Sequence, residues 1–203
     1  MSSPLSPRLV LASGSRYRQE LLSRLRIPFE VIAPDIDETP LHNELPQATA
    51  LRLACEKAQA IAVLAPDALV IGSDQVATLD GKHIGKPGSH ANALRQLQQL
   101  RGRQVFFDTA LCLLDGRAHS SADKIQSTIV RSTVIFRDLP DDELDTYLRI
   151  EQPYDCAGSA KNEGLGIVLL ESIESTDPTA LTGLPLIALT SMLRHAGVRF
   201  FRE

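Results

Sequence analysis

The run Ala68 to Gly72 (ALVIG) is apolar without a break, and a strand of that kind belongs in the middle of a parallel or mixed sheet with both faces covered. It ends on Ser73-Asp74-Gln75, so a carboxylate is expected at the carboxyl end of a buried strand. Around it, segments of strand and helix character alternate. Arg8 to Ala12 reads as a short buried strand, followed by Ser13-Gly14-Ser15 and a helical pattern from Arg16 to Arg24. Phe29 to Ile32 reads as a second strand, leading into the polar loop 35–40. From Pro46 to Leu64 the residues Leu53, Ala54, Ala58 and Ile61 recur at helical spacing, with Pro46 suited to a first turn. Val76 to Leu79 and Lys82 to Ile84, joined by Asp80-Gly81, read as a hairpin. A helix from Ser89 to Leu100 follows, then two long strands, Gln104 to Leu114 and Ile125 to Phe136, with a turn at Asp115-Gly116. Asp141 to Ile150 is helical with acidic residues in its first turn, Leu165 to Leu170 reads as a strand, and Leu184 to His195 as a helix opened by Pro185. The alternation predicts an α/β protein with a mixed sheet.

At 203 residues the chain suits a single domain, residues 1–203, with two lobes. Its 21 basic against 25 acidic residues leave a net charge of -4, which gives no electrostatic footing for nucleic acid or a membrane surface. Any anionic ligand must therefore be held by local cations. Cys55, Cys112 and Cys156 are far apart and odd in number, which speaks for reduced thiols rather than a disulfide framework or a Cys-x-x-Cys metal site. The start lacks a signal-peptide pattern and no run of eighteen apolar residues occurs, so a cytoplasmic location is expected.

Three groups of residues carry possible chemistry. Ser13-Gly14-Ser15 before a helix leaves backbone N–H groups able to face an anion, and Arg18 in the first turn can add a bidentate contact to phosphate; small residues in that place more often act simply as caps. Glu38 and Asp74, brought together, can hold Mg²⁺ or Mn²⁺ with water positions left open; each alone reads equally as a loop acid or a turn residue. Lys57, Lys86 in Gly85-Lys86-Pro87 and Lys161 can meet a polyphosphate if the fold makes them converge; otherwise they are surface charges. His42, His83, His90, His119 and His195 lack metal-binding spacing and read as structural or surface residues.

Taken in order, Ser13-x-Ser15-x-x-Arg18, Asp37-Glu38-Thr39, Glu56-Lys57-Ala58, Gly72-Ser73-Asp74-Gln75, Gly85-Lys86-Pro87, Ala157-Gly158 with Glu163-Gly164, and Gly183-Leu184-Pro185 resemble the Maf-like nucleotide pyrophosphatases, from about Leu9 to Ala196. The resemblance implies an elongated mixed sheet flanked by helices, two lobes around a deep cleft, a homodimer and dependence on a divalent metal. It also implies that Asp74 is the catalytic carboxylate, as proton acceptor or metal ligand, and that Ser13, Arg18, Glu38, Lys57 and Lys86 line the triphosphate site. On Tyr17, Gln75 and Glu163 the chain is similar to family members that hydrolyse 7-methyl-GTP; the sister group acting on dTTP and UTP carries arginine, threonine and glutamine there. The expected reaction is attack of water, activated by the metal or by Asp74, on the α-phosphorus, with pyrophosphate leaving. Methylation at N7 makes guanine cationic, which suits the aromatic Tyr17 and the carboxylate Glu163.

Overall fold

The computed structural model describes residues 7–117 and 124–201. The turn after Asp115-Gly116 and His119 fall partly or wholly outside them. The strands are β1 (Leu9–Ala12), β2 (Glu30–Val31), β3 (Leu69–Leu79), β4 (Lys82–Ile84), β5 (Gln104–Asp115), β6 (Ile125–Phe136) and β7 (Leu170–Ser175). Among the described residues the α-helices are α1 (Arg16–Ser23), α2 (Pro46–Ala62), α3 (His90–Leu100), α4 (Asp141–Glu151) and α5 (Leu186–His195). The strands form one mixed seven-stranded sheet in the order β2-β1-β3-β5-β6-β7, with β4 added to β3. β1 pairs in parallel with β2 and β3, whereas β3, β5, β6 and β7 run antiparallel to their neighbours. None of the described helices is long and apolar enough to cross a membrane.

The pleat sorts the core. On one face Leu69, Ile71, Leu111 and Leu113 pack with Leu21, Leu22, Leu189 and Leu193 of α1 and α5. Further along that face Ala77, Val105 and Phe107 meet α3 and α4 through Leu97, Leu100, Leu144 and Leu148. On the other face Val10, Val70, Val76, Ala110 and Cys112 pack against α2. Alternate residues of β3 and β5 thus serve opposite clusters, as the period of two requires.

The α2 contact is unusually close because both sides are small. The helix presents Ala50, Ala54 and Ala58, and the strand presents Gly72, where a Cβ atom would lie 2.0 Å from the Ala54 carbonyl oxygen and 2.9 Å from the Ala58 nitrogen.

Two expectations need correcting. β3 does not stop at Gly72: it continues unbroken to Leu79, laddered to β5 from Leu69↔Asp115 to Thr78↔Phe106. Asp74 is therefore in the middle of a strand, not at its carboxyl end. The polar stretch is tolerated because each side chain has a partner: Ser73 Oγ donates to the Ala110 and Gly183 carbonyls at 2.8 and 3.0 Å, Asp74 accepts from Lys57, and Gln75 donates to Thr109. Leu165 to Leu170 is not a strand either. Residues Leu165–Leu169 form a 3-10 turn that leads into β7, and it is wound by tight bonds such as Gly164 N–H to Lys161 O and Ile167 N–H to Gly164 O. Elsewhere the differences are at the ends: Pro185 is the N-cap of α5 rather than inside it, and Pro46 is at the start of α2 as expected.

Gly72→Ala is expected to destabilise the protein by about 3 kcal/mol or more, because backbone on a packed helix cannot yield to the added methyl. Gly85→Ala, with nothing within 4 Å of its Cβ position, should stay within about 0.5 kcal/mol of wild type. Chemical denaturation of both variants checks the contrast.

Candidate active site

On the edge of β3 away from β5, β1 pairs with residues 69–72 and β4 with residues 77–79. Among the described residues, no strand pairs with residues 73–76 on that side. A cavity of about 790 Å³, within the range of about 300–1,000 Å³ usual for small-molecule sites, opens at this gap. Its wall includes Ser13, Tyr17, Arg18, Glu38, Lys57, Asp74, Gln75, Lys86 and Glu163, but not Lys161, the third lysine the sequence offered. The strand whose carboxyl end meets the cavity is β1, through Ser13, so the rule that ligands bind beyond carboxyl ends holds for β1 and not for β3.

At the centre stands Lys57, only 5% exposed, on the same face of α2 as Leu53, Ala54 and Ile61. The Gly72 contact brings this face down on β3 two residues before Asp74. The Lys57 ammonium lies 2.7 Å from Asp74 Oδ1 and 2.7 Å from Glu38 Oε1. The acids distant in sequence therefore meet, joined by one cation. Burial pushes the Glu38 carboxyl up, but the hydrogen bond and charge of Lys57, with Lys86 and Arg18 behind them, outweigh this and hold it below the ordinary value. The other oxygens of Asp74 and Glu38 accept no hydrogen bond among the described residues, and no buried side-chain oxygen there lacks a partner, so both are open to solvent. Two such oxygens suit a hard divalent cation that takes its other ligands from water and phosphate. No cluster of three or more metal-ligating side chains occurs among the described residues.

Arg18 is held by its Nε donating to the Gly183 carbonyl at 2.9 Å and its Nη1 to Ser13 Oγ at 3.3 Å. Burial lowers its pKa, and the charges of Asp74 and Glu38 act against that shift. No ion pair engages the guanidinium among the described residues, and the same is true of Lys86 on its exposed turn. The Ser13–Ser15 turn behaves as a cap and as more than a cap. Ser15 Oγ accepts from Arg18 N–H at 3.5 Å and Ser13 Oγ from Ser15 N–H at 3.2 Å, while the Gly14, Arg16 and Tyr17 amides have no acceptor among the described residues. Unpaired cations and amides around one cavity form a receptor for a polyanion.

The same cavity is lined by the other candidates, Tyr17 and Glu163. Burial pushes the Tyr17 hydroxyl up in pKa, and the hydroxyl accepts from Cys156 Sγ at 3.7 Å. Burial also pushes the Glu163 carboxyl up: it sits in a concave wall, ringed by protein yet reached by solvent, with no ion-pair partner among the described residues. Lys161, read as a possible ligand contact, pairs instead with Glu151 at 2.8 Å and lies 6.0 Å from the Tyr17 ring centroid, at the outer limit of a cation–π contact.

Sequence reasoning missed Arg52 and Thr109, which hold these in place, and left Asp177 open between touching ligand and fixing a loop, the second of which the structure shows. Arg52 fastens the Glu38 loop by donating to Glu44 at 2.7 and 2.8 Å and to the Thr39 carbonyl at 3.2 Å. Asp177, buried, accepts from the Ile187 and Ala188 amides and caps α5. Thr109, 0% exposed, and the carbonyls of Ala180 and Leu181 hold Gln75. The only early signals were an arginine four residues before Glu56 on one helix face, and an acid followed by Pro-Thr. Of the histidines, His90 is structural, between Tyr154 and Asp145; His42, His83 and His195 are exposed, though His83 is on the cavity wall. Cys55, Cys112 and Cys156 are unpaired, and burial raises Cys156 to about 11, too high for a nucleophile at neutral pH.

The chain is also similar over nearly its whole length to known proteins. The chain is 66% identical over 201 residues to the 7-methyl-GTP pyrophosphatase of Cupriavidus metallidurans, covering 99% of each. It is 65% identical over 198 residues to that of Burkholderia pseudomallei strain 1710b, covering 96% of this chain and 90% of the relative. Against the protein of the same name from Ralstonia nicotianae it is 61% identical over 199 residues, 97% of this chain and 100% of the relative. The family model described as Maf-like protein matches residues 8–196, and the chain therefore belongs to the Maf-like protein family.

Proposed function

We propose that this protein hydrolyses 7-methyl-GTP to 7-methyl-GMP and diphosphate. The observation that carries this reading is the meeting of Glu38 and Asp74 on Lys57 at the gap in the sheet edge, in one cavity with Arg18 and Lys86, which have no ion pair among the described residues. The names of the relatives point to the same substrate.

In this reading the triphosphate lies against Arg18, Lys86 and the free amides after Ser13, which offset its charge. Asp74, with Oδ2 open, takes a proton from water as the water oxygen bonds to the α-phosphorus. The bond from that phosphorus to the bridging oxygen breaks, and its electron pair leaves with diphosphate. Lys57 holds Asp74 and Glu38 in register, and the cations stabilise charge that grows on the leaving group. Glu38 and Asp74 would hold Mg²⁺ or Mn²⁺, which supplies further charge against the phosphates and acidifies water beside it. Tyr17 and Glu163, also on the cavity wall, receive the cationic methylated base. Glu163 suits this role because it stands on the cavity wall with no ion-pair partner among the described residues, leaving its carboxylate for a cationic ligand.

Pyrophosphate release over a panel of nucleotides, with and without Mg²⁺ or Mn²⁺, tests the assignment: 7-methyl-GTP should lead, and release that is equal for dTTP or UTP would overturn it. Asp74→Asn should lower kcat by about 10²–10⁴-fold while nucleotide still binds; near-normal turnover would remove Asp74 from the chemistry. Glu163→Gln should raise KM for 7-methyl-GTP about fivefold more than for GTP, the scale of one partly exposed charge pair. Equal losses would refute the charge argument.

A further inference from the structure

Gln75 uses its amide unevenly. Its Nε2, with two hydrogens to give, is surrounded by three acceptors, Thr109 Oγ1 at 2.8 Å, the Leu181 carbonyl at 3.0 Å and the Ala180 carbonyl at 3.1 Å, so that one hydrogen is shared. Carbonyl oxygens only accept, so the amide cannot be turned over without setting its own oxygen against two others. The Thr109 hydroxyl gives its hydrogen to the Ala180 carbonyl at 2.8 Å, which leaves its lone pairs for the amide. Thr109 itself is fully buried within β5. Oε1 of Gln75 thus faces away from this cluster. It accepts no hydrogen bond among the described residues, and because no buried side-chain oxygen there is left without a partner, it must be open to solvent on the cavity wall.

We propose that Thr109 is a positioning residue that, with the carbonyls of Ala180 and Leu181, locks the Gln75 amide so that Oε1 offers the cavity a fixed acceptor for a hydrogen-bond donor on the bound nucleoside. The donor is either the exocyclic amino group of the purine or a ribose hydroxyl. The inference rests on the reading of the cavity as a nucleotide site. A locked acceptor discriminates more sharply than a free one, because a ligand without the donor leaves a desolvated oxygen that cannot swing to another partner. Thr109 does this from beneath the sheet surface, without touching the ligand.

The test compares 7-methyl-GTP with its analogue lacking the 2-amino group, 7-methyl-ITP, and with its 2′-deoxy analogue. It reads kcat/KM by pyrophosphate release and the Kd of the matching monophosphates by calorimetry. Wild type should disfavour one analogue by about five- to tenfold, and which one identifies the donor. Gln75→Met should abolish that preference. Thr109→Val should cut it to about twofold or less, whereas Thr109→Ser, which keeps the hydroxyl, should retain it. Equal treatment of the three ligands by wild type, or a full preference surviving in Gln75→Met or Thr109→Val, would overturn the proposal. If Thr109→Val does not fold, Thr109→Ala removes the same hydroxyl and the same outcomes apply. Turnover without discrimination would defeat this inference alone, discrimination among monophosphates without turnover would defeat only the hydrolase reading, and neither binding nor turnover would defeat both.

Discussion

A lysine can be held between carboxylates from separate segments only if its helix comes nearly into backbone contact with the strand that carries one of them. Gly72 provides that contact. With the Ala54 carbonyl pressed where a side chain would begin, α2 is seated on β3, and Lys57 reaches Asp74 without extending through water. Desolvating an ammonium is costly, and a single carboxylate repays it only in part. The second, Glu38, arrives on a loop fastened by Arg52. The arrangement keeps one excess negative charge and two open oxygens in a place where cations gather.

The sheet edge supplies the space. Because β1 and β4 flank β3 at its two ends and no described strand pairs with residues 73–76 between them, a strand that is otherwise buried shows side chains from both faces to one cavity. Asp74 comes from the α2 side and Gln75 from the other. The loop carrying Ala180, Leu181 and Gly183 closes the second side, and its carbonyls accept from Gln75, Thr109, Ser73 and Arg18. Gly183, at φ 112°, has a backbone that other residues reach only under strain, which turns its carbonyl towards Ser73 and Arg18 together.

Much of this was legible in the chain itself. The helix from Pro46 followed from spacing, and the β5–β6 pair from β-branched and aromatic content, because those signals are local. The uninterrupted β3 was not legible: Ser73, Asp74 and Gln75 look like a strand's end until a lysine from α2 and a threonine from β5 answer them. The 3-10 turn at Leu165–Leu169 was misread for a related reason, since a short apolar run does not reveal whether the chain extends or coils. Site residues were visible as types and as a family pattern, whereas their convergence, and the second layer of Arg52, Thr109 and Asp177, depends on contacts far apart in sequence.

The two walls of the cavity differ in construction. Asp74 and Gln75 are riveted into an eleven-residue strand bonded along its length to β5, whereas Tyr17, Cys156 and Glu163 project from a helix start and from the irregular stretch before β7. Drift in the second wall leaves the first undisturbed. The irregular wall can be remodelled at Tyr17 or Glu163 without unpicking the β3–β5 ladder, whereas a change at Gln75 reaches into that ladder through Thr109.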